Sequence, residues 1–161
     1  MKKILCISDQ IDPVIYSKDI KEKYGDVDFI ISAGDLPIDY LDFVQSSLNK
    51  PLYFVFGSHH LKALTHYHPE MAEKTKDGEV NIFKKGNTKK SNQGTYIGFK
   101  SLKHENIIIA GVSGAKKHND GKNQFTVKQM KRKLSKMIPA LFLNKLRYGR
   151  YLDILVTHCP P

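Results

Sequence analysis

The chain has 161 residues, 40% apolar and 26% charged, enough to bury a core in one domain and typical of globular rather than disordered sequences. No apolar run approaches the roughly 18 to 20 residues of a membrane span, and Met1-Lys2-Lys3 leads into an apolar stretch too short for a secretion signal. The expectation is a cytoplasmic protein with no membrane partner; its formal charge of +10 admits a polyanionic one, and its two cysteines exclude a disulfide framework.

Residues 3–8 are an apolar, β-branched run that ends at Asp9, the pattern of a buried strand, with Cys6 expected in the core. The loop Asp9-Gln10-Ile11-Asp12-Pro13 follows and carries two carboxylates. Ser17 is placed to cap a short helix that runs through Tyr24 and stops at Gly25. Residues 28–33 read as a second strand, closed by Gly34-Asp35-Leu36-Pro37. Pro37 suits a helix start, and Tyr40, Leu41, Phe43, Val44 and Leu48 give a helical stripe that ends near Asn49-Lys50-Pro51. Residues 52–56 are a third strand, closed by Gly57-Ser58-His59-His60. This βαβαβ order implies right-handed crossovers and a largely parallel sheet.

Between residues 60 and 78 no period is clear, and His66-x-His68 lacks a regular element to fix its geometry. Beyond Glu79, residues 80–83, 95–99 and 107–112, separated by Gly-, Asn- and Lys-rich turns, read as antiparallel strands, and residues 111–121 as a loop. Thr126-x-x-Gln129 is a capping box. It opens a helix whose Val127, Met130, Leu134, Met137, Leu141, Phe142 and Leu146 keep helical spacing to Gly149, and which Pro139 should kink or split. Residues 151–156 are the last strand, running into Thr157-His158-Cys159-Pro160-Pro161. The lysines between positions 84 and 136 follow no nucleic-acid-binding motif, so they read as solvated surface or as a positive rim that steers anionic substrates.

Four strands thus each deliver an Asp or a His at the carboxyl end: Asp9, Asp35, His59 and His158. A single aspartate there is commonly a turn former or a helix cap. In open α/β sheets, however, ligands bind at that edge, and convergence of four such side chains points to metal or acid-base chemistry.

These blocks resemble the metallophosphoesterase superfamily, also called calcineurin-like phosphoesterases, whose members carry Asp-x-His, Gly-Asp, Gly-Asn-His, Thr-His-x-Pro-Pro and a later Gly-His-x-His. Gly34-Asp35 and Thr157-His158-Cys159-Pro160-Pro161 match. The resemblance implies an α/β fold over residues 1–161, a metallophosphoesterase-like β-sandwich flanked by helices, incomplete at the C-terminus, with a dinuclear metal centre at the strand ends. Asp9 would then ligate the first ion, Asp35 bridge both and His158 ligate the second, while His59 protonates the leaving group. A bridging carboxylate lets two cations share and acidify a water, and a histidine that titrates near neutral pH suits donation to an alkoxide. Mixed imidazole and carboxylate ligation favours manganese, iron or zinc over magnesium.

Ile11 stands where the first block has histidine, with Asp12 the candidate substitute; Ser58 stands where the third has asparagine; Gly-His-x-His has no counterpart. The implied function is a metal-dependent phosphoesterase acting on a phosphorylated small molecule or nucleotide, inactive or weak in this form, with oligomerisation through an exposed C-terminal edge. A non-catalytic binding module of the same fold is one alternative. A basic nucleic-acid binder, whose affinity would fall steeply with salt, is the other.

Overall fold

A computed structural model describes residues 1–59, 61, 64 and 94–159, and these build a mixed α/β structure of several small sheets and helices. In chain order, β1 (Ile4–Ile7), α1 (Ile20–Tyr24), β2 (Phe29–Ser32), α2 (Ile38–Leu48), β3 (Leu52–Phe54) and β4 (Thr95–Tyr96) come first. They are followed by β5 (Lys100–His104), β6 (Ile107–Val112), β7 (Ala115–Lys116), β8 (Gln124–Phe125), α3 (Val127–Ser135), α4 (Ile138–Tyr148) and β9 (Ile154–Thr157).

The first sheet is parallel throughout, in the order β1-β2-β3-β4. Every residue of β2 is buried, as expected of a central parallel strand covered on both faces. On one face α2 lays down Tyr40, Leu41, Val44 and Leu48 against Leu5, Ile7, Ile30, Leu52 and Phe54. Each such side chain contributes about 1.5–3 kcal/mol by leaving water. The helix stops at Asn49, which takes the left-handed conformation (φ 52°) in which asparagine substitutes for glycine.

The alternate residues Phe29, Ile31 and Tyr53, with Val55 and Ile97 just past the ends of β3 and β4, pack the other way and meet Ile109 and Val156 of a second sheet. That sheet runs β5-β6-β9, antiparallel then parallel. Asp153 fastens its last strand: its N–H donates to the Ile108 carbonyl (2.8 Å), and its carboxylate accepts from Ile108 N (2.7 Å) and Arg150 Nε (2.7 Å). A parallel pair, β7-β8, completes the described strands.

Several expectations are corrected. The strand near Thr95 pairs with β3 in parallel, not antiparallel. β5 went unrecognised because Lys100-Ser101-Leu102-Lys103-His104 offers one apolar side chain, and it is recruited by pairing with β6. The loop expected over 111–121 includes β7. Pro139 divides the long helix outright, Met137 capping α4 with the proline in its first turn, where no N–H is needed. Ser17 donates to the Val14 carbonyl instead of capping α1. Cys6 is exposed, because β1 closes the sheet and turns Leu5 and Ile7 inward. The strand expected at 80–83 and the pair His66 and His68 lie outside the described residues. No helix among the described residues is long and apolar enough to cross a membrane.

Candidate metal centre

β1 and β2 end side by side, and shortly after each comes an aspartate held at positive φ. Asp9 (φ 62°) is the middle of a tight turn in which Gln10 N donates to the Ser8 carbonyl at 2.7 Å. Asp35 (φ 57°) follows Gly34 (φ 107°). The sheet ladder continues across these turns, Ala33 N donating to Ile7 O (3.0 Å) and Asp9 N to Gly34 O (3.1 Å), which fixes the two aspartates relative to each other. Aspartate tolerates the left-handed region better than most residues, yet such strain costs on the order of 1–3 kcal/mol and concentrates at functional sites.

His158 arrives from β9 of the other sheet. Asp9, Asp35 and His158 each offer a ligand atom, all within 4.8 Å of one another. His158 Nδ1 lies 3.0 Å from the Ala33 carbonyl, an acceptor only, so Nδ1 carries a hydrogen and Nε2 is the atom presented to Asp35. Nε2 stands 3.2 Å from Asp35 Oδ2, and both side chains are about 10% exposed. A divalent cation held between the two groups would take up the Nε2 lone pair and the carboxylate charge together. Histidine metal ligands characteristically give their other N–H to a backbone carbonyl, the bond made here to Ala33. The donor set of two carboxylates and one imidazole fits a divalent cation.

Two glycines make room for this. A Cβ on Gly57 would collide with Asp35 Oδ1 and lie 2.6 Å from His158 Cε1; one on Gly34 would lie 2.6 Å from Gly57 N and 2.9 Å from His158 Nδ1. The Gly57 loop also brings His59, whose backbone N–H donates to Asp35 Oδ1 at 2.7 Å while its side chain is exposed. Ser58, half-buried, sits between them.

Asp12 does not join the cluster. Its Oδ1 accepts from Val14 N at 2.7 Å, closing a turn within its own loop, and the neighbouring Ile11 is exposed. Cys159 and Thr157 line an apolar groove beside α3. His60 lies outside the described residues. Two contributions escaped the sequence reading: the Ala33 carbonyl that sets the His158 tautomer, and the clearance at Gly57, for which the Gly-Ser-His block was the available signal.

Compared with protein-family models and with curated proteins, the chain matches none.

Proposed function

We propose that Asp9, Asp35 and His158 hold a divalent cation and that the chain is a metal-dependent phosphoesterase acting on a phosphorylated small molecule or nucleotide. The observation that carries this is the meeting of three ligand atoms within 4.8 Å, brought from two sheets and oriented in advance by the Ala33 and His59 backbone. Two sheets packed across a common core support the sandwich that the resemblance implies.

A cation bound there supplies Lewis-acid polarisation of a phosphoryl oxygen and acidifies water. Asp9 and Asp35 provide anionic oxygens, and His158 provides a neutral donor whose tautomer is set by Ala33. Among the described residues these three donors would hold the ion, and a set of three would leave room for water and substrate, as catalytic sites do and closed structural sites do not. His59, whose backbone N–H binds Asp35 and whose side chain is exposed, is the residue that the resemblance offers as the acid for a leaving oxygen. Carboxylate with imidazole favours manganese, iron or zinc. Among the described residues the cluster suits one ion; a second ion needs donors beyond it.

Manganese titration, followed by hydrolysis of p-nitrophenyl phosphate and bis(p-nitrophenyl) phosphate by wild type and Asp35→Asn, tests the proposal. Manganese-dependent turnover lost in Asp35→Asn supports it. Binding without turnover favours the non-catalytic module instead, a reading to which Ile11 lends weight because it has no ligand atom where the resemblance expects an imidazole.

A further inference from the structure

The loop that carries Gly57 and His59 is held from behind by two buried polar side chains. Ser113 is fully buried; its hydroxyl donates to the Phe56 carbonyl (2.9 Å) and accepts from Phe56 N (3.1 Å). Asn123, 2% exposed, donates through Nδ2 to the Gly57 carbonyl (2.7 Å), the Phe56 carbonyl (3.3 Å) and Ser113 Oγ (3.3 Å). Three acceptors around one amide nitrogen fix which way the amide points. Asn123 is itself held at φ 57°, a conformation few residues other than glycine, asparagine and aspartate accept.

This bracket ends on the glycine that has no spare volume. Gly57 lies against both Asp35 and His158, so a displacement of its backbone by a few tenths of an ångström presses directly on two of the three cluster side chains. We infer that Asn123, with Ser113, is a positioning residue for the metal centre: through Gly57 it sets the separation of Asp35 and His158 without touching the ion. This inference rests on the reading that Asp9, Asp35 and His158 bind a divalent cation.

The test uses Asn123→Gly, which keeps the positive φ and deletes the amide, and Asn123→Asp, which keeps the shape but turns an oxygen toward the two carbonyls. Manganese affinity is read from the electron paramagnetic resonance of free and bound ion, well below the melting temperature of the chelator-treated protein. Loss of the bracket is expected to weaken binding about 10-fold or more, in the range for groups that orient metal ligands, and to change the bound-ion line shape. Ile109→Val serves as a control: it lowers the melting temperature of the metal-free protein through the core and leaves affinity unchanged.

If Asn123→Gly binds manganese as the wild type does while Asp35→Asn has lost it, the positioning role is overturned and the metal reading stands. If the wild type and Asp35→Asn bind alike, the metal reading falls and takes this inference with it. Should Asn123→Gly fail to melt cooperatively, Ser113→Ala, which removes one hydroxyl from the same bracket, is read by the same two outcomes.

Discussion

α2 and the α3–α4 pair show the same helical spacing of apolar residues and put it to opposite uses. α2 buries Tyr40, Leu41, Val44 and Leu48, whereas α3 and α4 together bury none of their side chains. Ile138, Phe142 and Leu146, one helical face at intervals of four, remain 60%, 54% and 68% exposed. A groove of about 460 Å³ stays open beside α3, lined by Val112, Met130, Leu134 and Leu155. Charge divides along the same line. Residues 116–150 hold eleven Lys or Arg and one Asp, a net +10 that equals the charge of the whole chain, so the remaining positions carry fifteen charges of each sign. Apolar periodicity therefore reports burial in the first sheet and only helix formation in α3 and α4. There, local devices hold the structure: the Thr126–Gln129 capping box, and Lys133 over the rings of Phe99 and Phe125 at 4.8 and 4.6 Å.

The sharpest way to break this comparison is to truncate one aromatic in each region. Phe29, fully buried between the sheets, should cost about 3–5 kcal/mol as Phe29→Ala. Phe142→Ala on α4 should stay within about 0.5 kcal/mol, as exposed positions do. Urea denaturation of the two variants decides it, and equal losses would mean that α4 is packed as firmly as the sheet.

The second outcome concerns the site at the sheet ends. At free manganese about 100 times its dissociation constant, wild type should gain roughly 2.7 kcal/mol, which for a domain near 150 residues is about 5 to 11 °C of melting temperature. Asp35→Asn should lose most of that shift. Equal shifts in both proteins would place the ion at some other group and remove the proposed centre.

The βαβαβ half was legible because burial on both faces forces continuous apolar runs, and because Gly25, Pro37 and Asn49 mark where helices stop and start. The strand-end aspartates and His158 were legible for the same reason: each closes such a run, and the structure brings Asp9, Asp35 and His158 together. β5 was not legible, since an edge strand with Leu102 as its one apolar residue owes its existence to its partner rather than to its own pattern. Asp12 misled because a carboxylate near a strand end is equally suited to accept a backbone N–H from its own turn, and Val14 supplies one. The bracket of Ser113, inside the expected loop 111–121, and Asn123, just beyond it, was not legible, because buried asparagine and serine leave no periodic trace.

A smaller effect sharpens the charge half of the comparison. α3 has no acidic residue in its first turn, and Lys128 lies three and four positions before Lys131 and Arg132. Lys128→Glu places an anion at the positive end of the helix dipole and turns two repulsive spacings into attractive ones. The expected gain is roughly 0.5–1 kcal/mol, shrinking as salt rises. Thermal melts in low and high sodium chloride measure it, and a loss of stability would mean that Lys128 already has an anionic partner.

The smallest effect is the one carried by pH at the seam between β6 and β9. The Ile108 N–H, followed by the Arg150 guanidinium, holds the Asp153 carboxyl below its ordinary range. A carboxyl depressed in the folded state binds protons more readily once unfolded. Its contribution is therefore fully present above the unfolded value of about 3.9 and drains away as pH falls through the lower folded value. Asp153→Asn keeps an oxygen for Ile108 but loses the charge that Arg150 reads. The melting temperatures of wild type and Asp153→Asn should thus differ by a constant amount above about pH 5 and converge as pH drops below about 4. Asp26 and Asp28, depressed by Lys3 and Lys2 respectively, remain in both proteins and cancel from the difference. A gap that does not close in acid would show that Asp153 acts by shape alone and that its charge contributes nothing to the seam.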